Sequence, residues 1–313
     1  MIFESTLLIL GAAASKPYGF PLGGELKEQI ICELSKQYGA FCTDVMNACG
    51  CTWDVVDEFR EKFEASNFPS IDRFLESETE VFVKIGKVCI ARALIPCEVQ
   101  AELNSQEDER WYGGFFEKLL PNNPNEFSKN GLSVVTYNYD RSFEQCLFST
   151  IREKYKFTDT DTATMFNHIE ILHLHGVLGQ LPSSSLKPHE SSRPYSSEVS
   201  VQVLRDCASE IIVLHEADYE RLSQHGFPTA QHLIDNAKVV CFLGFGYHDR
   251  ILDAIFQRNT SKAQSMCKRQ MLGTCIGRAA PDQQAEIKDR FDKLELYDLT
   301  VKDALNQWDE LIY

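Results

Sequence analysis

The sequence predicts an α/β fold, a Rossmann-like, doubly wound and mostly parallel sheet with a helical insertion. Several short, continuous apolar runs have the pattern of strands that are buried on both faces of a parallel sheet. Helical patterns separate these runs, and short segments rich in glycine or in polar side chains follow directly after four of them. Ligands of such sheets bind at the carboxyl ends of the strands, so these segments predict a functional site there.

The strands are predicted in order along the chain from the apolar runs and the turn residues around them. The first run, 6–10, ends in a glycine-alanine turn, and Asn130-Gly131 introduces the second. The predicted strands are 6–10, 132–137, 169–175, 239–244, 270–276 and 294–297, with a further candidate at 211–215.

Apolar residues at helical spacing predict the helices between the strands. The first, 23–38, places Leu26, Ile30 and Leu34 on one face, and 43–120 is helical in character, with Ser70 as an N-cap and Pro96 as a break. Further helices are predicted at 140–155, 216–223, 229–236, 249–258, 281–291 and 301–312. The Ser- and Pro-rich stretch 180–200 predicts a loop, either a mobile lid or a surface excursion.

The chain of 313 residues is long enough for one large α/β domain with an insertion. We expect residues 1–313 to form a single catalytic domain, in which about 41–130 is an insertion between the first two core strands. The net charge of −15 argues against direct nucleic acid binding, which depends on Lys and Arg. No apolar run is long enough to cross a membrane.

The eleven cysteines are an odd number, and no secretory segment precedes them, which favours buried, reduced thiols and a cytoplasmic location. Cys32, Cys89, Cys146 and Cys241 lie in apolar patterns, where we expect them in the core. No Cys-x-x-Cys pair occurs, and the spacing of Cys49-Gly-Cys51 is too short for a usual zinc knuckle, so no metal site is expected.

The turn Gly11-Ala-Ala-Ala-Ser15 follows the first strand, and small residues there let the backbone approach a pyrophosphate. This signal is weak alone, because the full dinucleotide glycine fingerprint is missing. Three later segments, each after a predicted strand, complete a candidate site: Thr136-Tyr-Asn-Tyr-Asp140, Leu174-His-Gly176 and Leu243-Gly-Phe-Gly246.

These segments, in this order, resemble the sirtuin-like (silent information regulator) superfamily over about residues 6–250. Gly11–Ser15 with Gly19-Phe-Pro21 is similar to its opening motifs, and Thr136–Asp140 to its Thr-x-Asn-x-Asp segment. His175-Gly176 is similar to the catalytic His-Gly, and Gly244-Phe-Gly246 to a later nucleotide contact.

Two features depart from the protein-deacylating sirtuins: Ala13 replaces a motif glycine, and 179–200 holds no cysteine for a zinc module. The chain therefore looks more like the bacterial branch that hydrolyses NAD in antiphage defence. Ser70-Ile-Asp-Arg-Phe-Leu75 and the segment 211–222 also resemble that branch.

The resemblance implies that NAD is the substrate and that no metal takes part. Asn138 would hold the ribose and a water, Asp140 would bind the carboxamide or orient Asn138, and His175 would be the general base. The residues implied in nucleotide binding are Gly11, Ala12, Ala13, Ser15, Pro21, Thr136, Gly244 and Gly246.

Structural alternatives remain open for these residues. Asn138 and Asp140 are also types that cap a helix, here the one expected from 140. His175 could be a satisfied histidine at a strand end, and His173 is expected to be structural or to support the site.

Three functions remain open at this stage. They are an NAD glycohydrolase that depletes NAD on infection, an NAD-dependent protein deacylase or ADP-ribosyltransferase, and a non-catalytic sensor of NAD or ADP-ribose. A toxic NAD consumer needs control by assembly, which predicts a homo-oligomer, a second defence subunit such as a HerA-type ATPase, or both. The trigger, the oligomeric state, the choice between NAD and NADP and the formation of cyclic products stay undetermined.

Overall fold

A computed structural model describes residues 1–104, 108–182, 192–213, 226–247, 270–275, 284–285, 287 and 294–312. In these ranges the chain forms a six-stranded sheet in which every pair of neighbouring strands is parallel. The strands are β1 (Thr6–Leu10), β2 (Leu132–Thr136), β3 (Glu170–His173), β4 (Val239–Leu243), β5 (Gln270–Thr274) and β6 (Leu294–Tyr297). Helices flank this sheet, and the predicted fold class is confirmed.

Most of the described helices lie between β1 and β2 or between β2 and β4. They are α1 (Ala12–Ser15), α2 (Gly23–Leu34), α3 (Ala40–Cys49), α4 (Trp53–Ala65), α5 (Ile71–Leu75), α6 (Glu80–Leu94), α7 (Gln100–Asn104), α8 (Tyr112–Leu119), α9 (Ser142–Tyr155), α10 (Asp159–Phe166), α11 (Val201–Glu210), α12 (Phe227–Asn236), α13 (Val301–Gln307) and α14 (Asp309–Ile312). Short 3-10 helices occur at Lys16–Tyr18, Ile95–Cys97 and Pro124–Lys129.

The strand order in the sheet is β3-β2-β1-β4-β5-β6. Strands β2 and β3 are added in turn on one side of β1, and strands β4, β5 and β6 are added in turn on its other side. The order therefore reverses between β1 and β4, and a crevice opens at such a point beyond the carboxyl ends of the two strands. This is the place that the fold offers to a ligand.

Alternate residues of β1 pack into separate cores on the two faces of the sheet, as the period of a strand requires. Leu8 and Leu10 pack with the helices that precede β2 and with α9 and α11. Leu7 and Ile9 pack on the opposite face, which includes Ile234 of α12. Both faces of β1 are buried, and this burial explains why its sequence is continuously apolar and does not alternate with polar residues.

Most predicted boundaries agree with the structure to within a few residues. The helix predicted at 23–38 ends at Leu34, and the one predicted from 140 begins at Ser142. Ser70 caps α5, because its hydroxyl accepts a hydrogen bond from the Arg73 amide at 3.4 Å. Pro96 lies in the 3-10 turn that follows α6, where the prediction placed a break.

Three sequence predictions about secondary structure were wrong or incomplete. The strand predicted at 169–175 ends at His173, and the candidate at 211–215 contributes only an isolated antiparallel bridge between Ile211 and Gly176. Two helices, α10 and α11, were not predicted; each begins at a hydroxyl N-cap, on Thr158 and on Ser200 respectively. The predicted helices at 216–223 and 249–258, and most of 281–291, lie outside the described residues.

Ten cysteines are described, and all are free thiols. Cys89, Cys146 and Cys241 are buried as predicted, and burial raises the pKa of the Cys146 and Cys241 thiols to about 12. Cys32 is exposed, so its placement in the core was wrong. It lies on α2 next to the half-buried Ile31, outside the face that Leu26, Ile30 and Leu34 bury. None of the described helices is both long enough and apolar enough for a bilayer-spanning segment.

Candidate active site at the carboxyl edge of the sheet

The register of the sheet aligns the ends of four strands. Leu10 pairs with Thr136 on one side and with Leu243 on the other, and Thr136 pairs with His173. The segments that follow these strands therefore begin side by side at one edge. They are the four segments in which the sequence predicted functional residues.

The loops after β1 and β4 lie in direct backbone contact. The Gly11 amide donates to the Leu243 carbonyl at 3.0 Å, and the Ala13 amide donates to the Gly244 carbonyl at 3.1 Å. A Cβ atom at Gly11 would lie 2.5 Å from the Gly244 oxygen, and one at Gly244 would lie 2.2 Å from the Ala14 nitrogen. Glycine is thus required at both positions for the loops to meet, whatever binds there.

Asn138 joins the loop after β2 to the loop after β1. Its side-chain amide donates to the Gly11 carbonyl and to the Ser15 hydroxyl, both at 3.0 Å. Its own backbone amide donates to the Thr136 hydroxyl at 3.0 Å. Asn138 is buried, at 8% exposure, and the side-chain hydrogen bonds that it makes with described residues engage its nitrogen and not its oxygen. That oxygen is the part of the amide that remains for a ligand.

Asp140 contacts Ser142, the first residue of α9, but the N-cap position of this helix is Arg141 and no side chain makes a capping hydrogen bond there. Its carboxylate accepts a hydrogen bond from the Ser142 amide at 3.0 Å and another from the Ser142 hydroxyl. Burial raises the pKa of Asp140, and hydrogen bonds from Ser142 and Ser15 oppose that shift. The bonds from Ser142 engage one carboxylate oxygen of Asp140, and the Asn138 side chain contacts the β1 loop and not the helix.

His175 lies in a turn beyond β3. Gly176 makes this turn with a φ angle of 77°, in the left-handed region that glycine adopts readily. A Cβ atom at Gly176 would lie 1.9 Å from the Glu210 carbonyl oxygen, since the turn packs against the end of α11. The adjacent His175 carbonyl accepts a hydrogen bond from the Ile212 amide at 2.8 Å. Glycine is therefore required at position 176 by the geometry of the turn.

The His175 ring lies between two tyrosines that flank Asn138 in sequence. Its centroid is 5.3 Å from that of Tyr137 and 6.0 Å from that of Tyr139. The side chain is 9% exposed, and its Nε2 atom has no hydrogen-bond partner in the described chain. The Tyr137 hydroxyl is likewise buried without a partner there. Buried polar groups are normally paired. Tyr195 and Trp308 hold such atoms as well, so the weight of the His175 atom comes from its place beside the Asn138 loop at the carboxyl edge of the sheet.

The Asp72 side chain, on α5, lies near the Nδ1 atom of the His175 ring. Its Oδ1 atom lies 3.7 Å from His175 Nδ1 and accepts a hydrogen bond from the Tyr139 hydroxyl. Burial works to raise the pKa of Asp72, but hydrogen bonding and charge interaction with His175 and the Tyr139 hydrogen bond lower it below its ordinary value. The sequence analysis did not select this residue, although it lies in the segment Ser70–Leu75 that carried part of the family resemblance.

His173, two residues before His175, has both ring nitrogens occupied. Nδ1 contacts the Asn138 carbonyl at 2.8 Å, and Nε2 contacts the Glu144 carboxylate. Burial works to lower the pKa of His173, but the Glu144 charge and hydrogen bond raise it overall. This histidine fixes the backbone of the Asn138 loop against α9, which agrees with the structural role predicted for it.

A buried ion cluster holds the chain that follows the His175 turn. Glu98 is fully buried and accepts hydrogen bonds from Arg141 at 2.7 Å and 2.9 Å and from Arg193 at 2.6 Å. Arg193 also donates to the Leu178 carbonyl at 2.9 Å. The described parts of the predicted 180–200 loop are residues 180–182 and 192–200, and the second part is thus tied to the protein interior at Arg193. Sequence reasoning missed this cluster, because its members are distant along the chain.

The structure brings most of the predicted site residues to one edge of the sheet. Gly11, Ser15, Thr136 and Asn138 are joined by hydrogen bonds, and Gly244 packs on the β1 loop. Ala12 is exposed, and Pro21, Ala13 and Gly246 are half-buried. Among the hydrogen bonds of the described residues, none joins Asn138 to His175. The rings of Tyr137 and Tyr139, which flank Asn138 in sequence, both lie close to the His175 ring.

Comparison with known proteins gives one family. A family model described as SIR2-like domain matches residues 132–301, slightly more than half of the chain. No curated protein matches the chain. The matched part contains Asn138, Asp140, His175 and Gly244, whereas β1, its loop and Asp72 lie before it. Proteins of this family are generally NAD-dependent enzymes. Among the described residues, no group of three or more His, Cys, Asp or Glu side chains is placed to hold a metal.

Proposed function

This chain belongs to the family of SIR2-like domains, and we propose that it is an NAD glycohydrolase. It would cleave the bond between nicotinamide and ribose, with water as the acceptor. The products would be nicotinamide, ADP-ribose and a proton. Its cellular role would be the depletion of NAD in antiphage defence, in the cytoplasm.

One observation carries the proposal, the unpaired Nε2 atom of His175. An imidazole nitrogen that is buried without a partner costs about 1–3 kcal/mol, so such an atom is expected where a ligand completes the site. It lies at the carboxyl edge of the sheet, beside the loop that carries Asn138. A neutral imidazole nitrogen is also a suitable proton acceptor near neutral pH.

The reaction needs little acid catalysis, because the nicotinamide of NAD already carries the positive charge. When the C–N bond breaks, its electron pair goes to the nicotinamide nitrogen, and the ribose carbon becomes electron-poor. The side-chain oxygen of Asn138 would orient the ribose or the attacking water. His175 Nε2 would accept the proton that this water loses, and the buried surroundings would exclude other water.

The nucleotide would lie in the crevice between the loops after β1 and β4. The Gly11, Ala13 and Ala14 amides are already bonded within the protein, to Leu243, Gly244 and Gly11. The Ala12 amide, at the exposed start of α1, has no such bond within the described residues and is the backbone donor left for a phosphate. The remaining members of this nucleotide set would be Ala13, Ser15, Pro21, Thr136, Gly244 and Gly246.

Control by assembly is part of the proposal, because an unregulated NAD consumer would harm its own cell. We propose a homo-oligomer, an activating second subunit such as a HerA-type ATPase, or both. The net charge of −15 would favour a basic surface on that partner. Size-exclusion chromatography with light scattering, together with an NAD assay across protein concentrations, tests this point. Full activity of a monomer would contradict it.

The decisive experiment follows NAD and its products with the purified full-length chain, alone and co-expressed with its genomic neighbours. We expect nicotinamide and ADP-ribose in equal amounts, lost in His175→Ala and Asn138→Ala. His168→Ala, at an exposed histidine, is the matched control. Tight NAD binding without products would favour the sensor, and NAD-dependent release of acetyl from a peptide would favour the deacylase.

A further inference from the structure

Helix α5 brings a carboxylate from outside the sheet to the candidate catalytic histidine. Ile71, Phe74 and Leu75 are almost completely buried, and the Ser70 hydroxyl caps the first turn. These contacts anchor the helix, while the Asp72 side chain keeps 27% exposure and points to the His175 ring. The Asp72 position is therefore determined by the packing of its neighbours and not by the ion pair alone.

We propose that Asp72 is a positioning residue: it holds the His175 imidazole with Nδ1–H toward its carboxylate and Nε2 toward the substrate. This inference rests on the proposed function. Asp72 does not touch the reacting atoms, and it acts through His175.

The physical reason lies in the two tautomers of a neutral imidazole. A carboxylate beside Nδ1 favours the tautomer that carries its proton there, which leaves the lone pair on Nε2. When Nε2 accepts the proton released by the attacking water, the ring becomes a cation 3.7 Å from a carboxylate oxygen. The negative charge stabilises this cation, and the electron pair of the broken C–N bond leaves with nicotinamide.

Tyr139 completes the arrangement from the Asn138 side. Its hydroxyl donates to the Asp72 oxygen that faces His175, so the carboxylate is held from two directions. The separation of 3.7 Å exceeds a hydrogen bond, and we expect it to shorten when substrate binds, because catalytic hydrogen bonds are often long in ligand-free enzymes. Because Tyr139 follows Asn138 directly, one loop links the amide, the carboxylate and the imidazole.

The rival explanation is an ion pair that only stabilises the fold. Within the described chain, the titratable side chains that contact His175 are Asp72, Tyr137 and Tyr139. A structural pair would change stability and leave the tautomer and the turnover per folded molecule unaltered. The test therefore needs a measured quantity that does not depend on the stability of the fold.

We would measure the tautomer of His175 by ¹⁵N NMR of the ring nitrogens in full-length protein, and kcat and KM for NAD. Asp72→Asn should mix the two tautomers and lower kcat by about 10- to 100-fold, with KM nearly constant. Glu76→Gln, a carboxylate one turn away that pairs with Arg73, is the matched control. Tyr139→Phe keeps the carboxylate and should cause a smaller change of the tautomer ratio and of kcat. This variant provides the test if Asp72→Asn does not fold.

An unchanged tautomer in both Asp72→Asn and Tyr139→Phe would overturn the proposal, as would a kcat loss that only follows the loss of folded protein. The ring spectrum does not depend on turnover. A wild-type protein with the Nδ1–H tautomer but no NAD cleavage in any assembly would therefore refute the proposed function alone.

Discussion

Two histidines lie two residues apart at the end of β3, in environments that differ in one decisive respect. His173 ends the strand, with one ring nitrogen on the Asn138 carbonyl and the other on Glu144. His175 lies in the turn, with Nδ1 near Asp72 and Nε2 buried without a partner in the described chain. Both rings face a carboxylate, so a carboxylate neighbour does not by itself distinguish a functional histidine from a structural one.

The difference shows what to look for in such a site. His173 uses all its polar atoms inside the protein, and its contacts stabilise the fold without help from a ligand. His175 keeps one polar atom unused at the cost of some stability. Residues whose buried polar atoms lack hydrogen-bond partners within the protein are typical of functional sites.

The largest expected difference between the two histidines is in activity. If NAD is cleaved as proposed, His175→Ala should lower kcat by about 10²- to 10⁴-fold, the usual contribution of a general base. His173→Ala should keep measurable turnover but lower the free energy of unfolding by about 1–3 kcal/mol, because Glu144 loses its partner. Product analysis and urea unfolding of both variants check this. Equal losses of turnover would remove the distinction.

The second effect concerns the turn that separates the two rings. Gly176→Ala should lower the free energy of unfolding by at least about 3 kcal/mol, because the new Cβ meets the Glu210 carbonyl and φ is positive. Gly114→Ala is the control, since a Cβ there meets nothing within 4 Å and α8 gains helix propensity. Urea unfolding measures both. A Gly176→Ala protein as stable as the wild type would refute the described turn.

The third effect concerns the pH dependence of stability at His173. Because Glu144 raises the folded-state pKa of His173 above its usual 6.5, the pair stabilises the fold fully below that pH. The contribution is lost as the pH rises through the folded-state pKa. Glu144→Gln should therefore cost about 1–2 kcal/mol at pH 5 and less at pH 9. Urea unfolding across pH tests this; a deficit that grows with pH would contradict it.

The smallest effect involves the tyrosines on either side of Asn138. Tyr137→Phe removes a buried hydroxyl without a partner among the described residues, so stability without ligand should stay constant or rise by up to about 1 kcal/mol. Tyr139→Phe removes the hydrogen bond to Asp72 and should cost about 1 kcal/mol. Thermal unfolding of the two variants compares them directly. A clear loss of stability in Tyr137→Phe would show that its hydroxyl is paired.

Sequence reasoning located the sheet well, because buried parallel strands leave a local and continuous apolar pattern. All six described strands agree with prediction to within two residues at each end, and β1 and β6 match at both ends. The difference that matters for the site is at the carboxyl end of β3. Its apolar pattern continues to Leu174, but the strand ends at His173, because Gly176 turns the chain onto α11.

Local sequence was less informative about why particular residues are present. Small residues at 11–15 suggested a phosphate site, yet Gly11 and Gly244 are also required for two loops to touch. Asp140 was weighed as a catalytic or a capping residue, and it does bond the first residue of α9. The nucleotide role of these residues stays a prediction.

The sequence by itself determined the fold class, the order of the strands' apolar runs and the segments that follow them, because these depend on patterns within a few residues. Only the tertiary structure decided which groups face one another. Asp72 meets His175 across 103 positions of sequence, and Glu98 meets Arg193 across 95. Such contacts depend on how helices pack over the sheet edge, and no local pattern encodes the partner of a distant side chain.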